Sequence, residues 1–289
     1  MRSASAFDIR SARRVRSFAL LCLTALLAPA AAADPVAFGA RSLEIPAPAG
    51  FVAVTGEMPR YHELSQAYLP AGNRLVEIYH TTEDRAALLQ GQDIGLTRYH
   101  QMQTLRAYDG KPLSAAEFTA GMAEMETAIQ GTLENFDTAP LTDAGNKALA
   151  DQTGEDVAIS IGDTRYLGVF RREPWALFFT TTSQVAVSGV EGNGGRIVCA
   201  GSAALINHQI VYLYTYTDDT GPEARTWAEA AVSAWADAVR AANPDDAAVA
   251  ARADAMQSSL GFPAIGRNAL IGACVGGLLG LFFWLRRRA

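Results

Sequence analysis

The chain has 289 residues, 49% of them hydrophobic and 19% charged, with a formal net charge of −6. That is enough apolar material for a sizeable buried core, and the composition is that of neither a disordered nor a fibrous chain. From Asp34 to Ile265 there are 29 Asp plus Glu against 15 Lys plus Arg, a net of −14, so the excess basic charge sits at the two ends. An acidic body repels phosphate backbones and anionic headgroups, which argues against nucleic acid as a partner.

Residues 1–33 read as a secretory signal peptide. Arg10, Arg13, Arg14 and Arg16 form a positive n-region, Phe18 to Leu27 an apolar stretch, and Pro29 to Ala33 a small-residue cleavage segment. Cys22 follows Leu20 and Leu21 where a lipoprotein signal has small residues, and Arg16 and Ser17 follow Arg13-Arg14 where a twin-arginine signal turns apolar. Ordinary export is therefore expected, with the mature chain starting near Asp34.

Residues 34–243 read as an extracytoplasmic domain of the α+β class, mainly an antiparallel sheet with helices packed on its faces. Strands are expected at Ser42 to Ile45 and Phe51 to Thr55, separated by Pro46 and Pro48, which exclude a helix. A short helix follows at Arg60 to Tyr68, then a strand at Asn73 to Thr82 and a segment, Ile94 to Tyr108, that is extended at its start. Ser114 to Phe136 is the clearest helix of this half. Ser114 and Glu117 form a capping box, and Phe118, Met122, Met125, Ile129, Leu133 and Phe136 recur at three- and four-residue spacing.

The second half reads as strands at Asp156 to Ile161, Arg165 to Arg171, Trp175 to Val187, Arg196 to Leu205 and Gln209 to Thr217, the last two joined by a turn at Asn207-His208. A long helix is expected over Pro222 to Ala242, with Trp227, Ala231, Trp235, Ala238 and Ala242 on one face and Val232 and Val239 beside them. Residues 244–267 read as a helical stalk.

Residues 268–285 read as one transmembrane helix. Its seventeen uncharged apolar residues, Ala269 to Leu285, run directly into Arg286, Arg287 and Arg288 of a basic cytoplasmic tail, 286–289. Such a helix spans roughly 26 Å, near the lower limit for a hydrocarbon core of about 30 Å, and Trp284 sits where an interfacial aromatic belongs. The arginines then mark the cytoplasmic side. The same layout also suits a processed sorting signal, although no recognition motif precedes it. With 22 arginines to two lysines, a bias of high-GC genomes, the expected setting is a bacterial inner membrane with the bulk of the chain periplasmic.

The stretch Leu43-Glu44-Ile45-Pro46 with Gly50-Phe51, and Val211 to Tyr216 leading into Trp227, resembles the layout of PsbP-like domains. That resemblance covers a minority of the chain. It implies an antiparallel sheet with helices on both faces, and an accessory or assembly role rather than catalysis.

The residues that carry chemistry form no familiar constellation. His62-Glu63 lacks the second histidine of a zinc helix because Gln66 stands there, and His80 with Glu83 and Asp84 suits a solvated turn better than a metal corner. Gly201-Ser202 is followed by Ala203, not glycine, so there is no nucleophile elbow, and the glycines from Gly189 to Gly195 lack the Lys-Ser/Thr ending of a phosphate loop. Cys199, the one thiol outside the signal and span, lies in an apolar run and reads as a core residue. No metal or cofactor is implied.

Two features remain as candidate sites. Gly272, Gly276 and Gly280 form a small-residue face suited to helix association, either with a second copy or with another membrane protein. Tyr212, Tyr214 and Tyr216 alternate along one strand and share a sheet face, which is either an aromatic binding surface or buried beneath helices. The expected function is that of a non-catalytic, membrane-anchored cell-envelope domain acting in protein interaction or assembly. The alternatives are a tethered binding module for a small apolar or aromatic ligand, using the tyrosine face, and an enzyme whose site the sequence does not display.

Overall fold

The computed structural model describes residues 34–92, 98–133, 138–154, 158–188 and 194–256, and beyond them the helical positions 265, 267, 269 and 271. In chain order the elements are β1 (Asp34–Phe38), β2 (Arg41–Ile45), β3 (Phe51–Ala53), α1 (Pro59–Ala67), β4 (Asn73–Thr81), α2 (Thr82–Leu89), β5 (Arg98–Leu105), α3 (Ala115–Leu133) and α4 (Ala139–Thr153). They continue with β6 (Ile159–Glu173), β7 (Ala176–Val187), β8 (Gly194–Ile206), β9 (Gln209–Asp218), α5 (Pro222–Ala242) and α6 (Ala247–Ala255).

Seven strands make one antiparallel sheet in the order β3-β4-β5-β9-β8-β7-β6, and β1 with β2 makes a separate hairpin. The α+β class and the antiparallel sheet with helices on its faces are thus as expected. Helices α1, α3 and α4 cover one face, setting Tyr61, Leu64, Phe118, Met125, Ile129 and Leu149 against Leu75, Phe179, Leu205 and Tyr212. Helix α5 and the β1–β2 hairpin cover the other, where Phe38, Leu43, Val232, Trp235 and Val239 meet Met102, Phe178, Val211 and Leu213. With both faces covered, β9 is buried along nearly its whole length and loses the in-out alternation of a one-sided strand.

Local chemistry accounts for the element ends. Asn207 and His208 take positive φ of 42° and 64°, the backbone pair that a two-residue hairpin turn requires, and the β8–β9 hairpin forms there. Ser114 Oγ accepts the Glu117 backbone N–H at 3.1 Å and starts α3. Pro222 stands in the first turn of α5, where a missing N–H removes nothing.

Several expectations need correction. The two strands expected at Asp156 to Ile161 and Arg165 to Arg171 are one strand, β6, whose register shifts between Gly162 and Arg165 keep it paired with β7 through the interruption. Helix α4 was not expected; a proline in its first turn and Gly154 at φ 74° after its end mark it, but its apolar positions are few. On α5 the inward stripe is Ala228, Val232, Trp235, Ala236 and Val239, so Trp227, Ala231 and Ala238 lie to one side of it.

The stretch expected as a stalk returns to the domain. Asp246 caps α6 by accepting from Ala248 and Val249, its own N–H donates to Asn207 Oδ1 at 3.0 Å, and Ala253 is buried. Further on, Ile265 and Ala269 belong to the same core as α1, α3 and α4. The expected signal peptide at 1–33, the expected tail and all of the expected span except Ala269 and Ile271 lie outside the described residues. Among the described residues no helix is long and apolar enough to cross a membrane.

Candidate functional site

The tyrosine face is occupied by the chain itself. Tyr212, Tyr214 and Tyr216 are each 0% exposed, with consecutive ring centroids 6.2 Å apart. Tyr212 OH donates to the Ile265 carbonyl at 2.9 Å and Tyr214 OH to the Ala269 carbonyl at 2.8 Å. Tyr216 stacks on Tyr99 across the β5–β9 pair at 4.7 Å. The opening of the expected membrane helix is therefore held on this face by two buried hydroxyls, one helical turn apart.

Beside the tyrosines runs a buried polar row. Asn73 Nδ2 donates to Gln103 Oε1 at 2.8 Å, and Gln103 Nε2 to Gln101 Oε1 at 2.8 Å. Gln101 Nε2 then has no partner among the described residues. His80 shares a hydrogen bond of 3.0 Å between Nε2 and Tyr61 OH. Desolvation lowers the His80 pKa to about 3 and pushes the hydroxyls of Tyr61, Tyr99, Tyr212 and Tyr216 up. All these groups are neutral near pH 7, so the row offers hydrogen bonds and is not tuned for proton transfer there.

On the opposite face the structure forms a groove that the sequence does not announce. Its volume is about 480 Å³, between the β2–β3 connection at Ala47 to Ala49 and the outer side of α5. Phe51, His100, Trp227 and Trp235 line it, with a ridge of Ala230, Ala231, Ala234 and Ala238. His100 is 1% exposed and stands edge-on to Phe51 at 4.3 Å and to Trp235 at 5.4 Å. Its Nδ1 lies 2.8 Å from Thr215 Oγ1, while Nε2 is buried with no partner among the described residues. Desolvation, then the neighbouring His80, lowers its pKa to about 3. Arg98, two residues earlier on the same side of β5, stacks its guanidinium over Trp227 at 4.3 Å.

The other residues singled out in the sequence stay apart. His80 is buried in the core, not in a solvated turn, because the turn begins after it: Thr81 Oγ1 accepts from Asp84, and Glu83 and Asp84 enter the first turn of α2. His62 is half-buried beside the Leu75 carbonyl, and His208 Nδ1 lies 2.9 Å from the Leu113 carbonyl. Cys199 is buried opposite Tyr216 and Thr181. Gly201 and Ser202 are interior to β8, and the loop from Gly189 to Asn193 lies outside the described residues, as do Gly272, Gly276 and Gly280. Among the described residues no group of three His, Cys, Asp or Glu is placed to hold a metal ion.

Two sequence features meet at the groove: Arg98 and His100 alternate on β5, and Trp227 and Trp235 stand eight residues apart on one helix. Neither is specific without the β2–β3 connection that closes it. No protein-family model and no curated protein matches the chain.

Proposed function

We propose that the protein is a membrane-anchored envelope domain whose task is protein interaction or assembly, carried at the periplasmic face of a bacterial inner membrane with its C-terminus cytoplasmic. The observation that carries this reading is the uncharged apolar run from Ala269 to Leu285, closed by Arg286, Arg287 and Arg288. Ala269 and Ile271 of that run lie against the domain core, which leaves the fourteen residues Gly272 to Leu285, about 21 Å of helix, so the anchored form requires this segment to leave the tyrosine face. The likeness to PsbP-like accessory domains points the same way.

Gly272, Gly276 and Gly280 are the residues proposed to pack against that partner or against a second copy. The test is crosslinking in intact membranes followed by mass spectrometry. It compares the full chain, the chain ended after Gly272, which keeps the docked residues, and a Gly276→Leu variant. A stoichiometric partner, or a homodimer, captured by the full chain and lost from both altered forms supports the reading. Recovery of the full chain in the soluble fraction, or capture that is the same in all three, overturns it.

A further inference from the structure

We propose that the groove between the β2–β3 connection and α5 is a binding site for a small apolar carboxylic acid, with its ring or chain against Phe51, Trp227 and Trp235 and its carboxylate at Arg98. Its volume of about 480 Å³ falls within the range of small-molecule sites. Its walls are aromatic rings and alanine methyls, a surface that favours a flat or slender apolar body.

Two polar features separate this groove from an ordinary surface dent. His100 is nine-tenths or more buried and lines the groove, yet its Nε2 has no partner among the described residues. A buried polar atom left unpaired is costly, so each one calls for a partner or a reason. With Nδ1 accepting from the Thr215 hydroxyl, the neutral ring carries its proton on Nε2, which can then donate to a carboxylate oxygen of the ligand. The second feature is Arg98. It lies exposed over Trp227 and has no carboxylate partner among the described residues, in a domain where acids outnumber bases by 29 to 15. Arg98 does not line the groove itself, but a guanidinium stacked on a lining ring is within a side chain's swing of a carboxylate bound there, and at ordinary ionic strength the surrounding acidity is screened beyond about 8–10 Å.

The groove lies on the sheet face opposite the tyrosines, so this inference stands or falls apart from the membrane reading. The competing occupant is a protein helix laid along the alanine ridge, which would need no carboxylate and would leave Arg98 unused.

The test is calorimetric titration of the full chain in lipid nanodiscs with 3-phenylpropionate and, separately, with its neutral amide. Saturable submillimolar binding of the acid, with the amide about three- to ten-fold weaker, is expected. Arg98→Gln removes that preference by weakening the acid alone. Ala234→Phe, on the exposed side of α5, fills the groove and abolishes both interactions at an unchanged melting temperature. No saturable binding of either compound, equal affinity for acid and amide, or binding indifferent to Ala234→Phe overturns the proposal. The last outcome together with loss of a crosslinked protein partner in Ala234→Phe assigns the groove to a helix instead.

Discussion

Tyr214 and Ala269 are 55 positions apart in the chain and are joined by a buried hydrogen bond of 2.8 Å from the tyrosine hydroxyl to the alanine carbonyl. The tyrosine thereby receives the acceptor that a fully buried phenol needs. Tyr212 does the same for Ile265 one turn earlier. This pairing fastens the beginning of the apolar C-terminal run to the central strand of the sheet.

Releasing that fastening exposes a specific bond to protease. Arg267 lies exposed between the buried Ile265 and Ala269 and is a tryptic site. Each hydrogen bond contributes about 1 kcal/mol, so Tyr212→Phe with Tyr214→Phe raises the population of the locally open segment by about ten-fold or more. Limited trypsinolysis of the full chain, followed by mass spectrometry of the fragment beginning at Asn268, measures this. Equal cleavage rates in the variant and the parent protein would show that the hydroxyls do not hold the segment.

Asn243 clamps the hairpin to the end of α5. Its Oδ1 accepts from the Glu44 N–H at 2.9 Å, and its Nδ2 donates to the Glu44 carbonyl at 2.7 Å and to the Val239 carbonyl at 2.8 Å. The amide side chain thus pairs with β2 as a neighbouring strand would. Asn243→Leu leaves both Glu44 backbone groups without that partner and lowers stability by about 2–3 kcal/mol. Urea denaturation reads the loss, and hydrogen exchange should place it first at the Glu44 amide. A change under 0.5 kcal/mol, on the order of a neutral surface substitution, counts against the clamp.

Much of this fold is legible in the sequence because local signals and tertiary packing agree. The Asn207-His208 turn, the Ser114 cap and the extent of α5 follow from turn chemistry, capping and apolar spacing. Where packing overrides local pattern the sequence misleads. Trp227 shares a helix with Trp235 but stands at a groove, because the sheet takes the stripe through Val232 and Val239 and leaves the flank to the β2–β3 connection. His80 looks solvated beside Glu83 and Asp84, yet strand alternation turns it inward onto Tyr61. The groove itself joins residues from 47 to 238, a convergence that no window of sequence contains.

Tyr68 and Gly145 illustrate packing at its tightest. A Cβ at position 145 would lie 2.1 Å from Tyr68 Cδ1, so the ring rests directly on the backbone of α4 while its hydroxyl donates to Asn146 Oδ1 at 3.0 Å. In an exposed helix Gly→Ala normally stabilises, by about 0.5–1 kcal/mol. Here Gly145→Ala destabilises, by about 1–3 kcal/mol, because the ring is backed by the core and cannot withdraw freely. Thermal unfolding measures the sign, and a raised melting temperature would contradict the contact. Gly145→Ala combined with Tyr68→Ala should recover part of the loss.

Acid sensitivity follows from His80 and His100, both held by burial at a pKa of about 3 against an ordinary 6.5. A depressed histidine is neutral in the native core while the unfolded chain takes up a proton. Its contribution is therefore complete above about pH 6.5 and is lost as pH falls toward 3. Each site contributes a slope of about 1.4 kcal/mol per pH unit inside that window. Burial also raises the Asp84 and Asp218 carboxyls, which acts in the opposite sense, so the comparison between variants carries the test rather than the absolute slope. His80→Gln keeps a polar side chain next to Tyr61 and removes one titrating site. Urea midpoints at pH 7.5 and pH 5 should converge for His80→Gln by about half of the parent protein's difference. An unchanged difference would show that His80 does not carry the acid loss in this range; Asp163 and Asp245, whose arginine partners hold their carboxyls low, lose their contribution only below the ordinary carboxylate range.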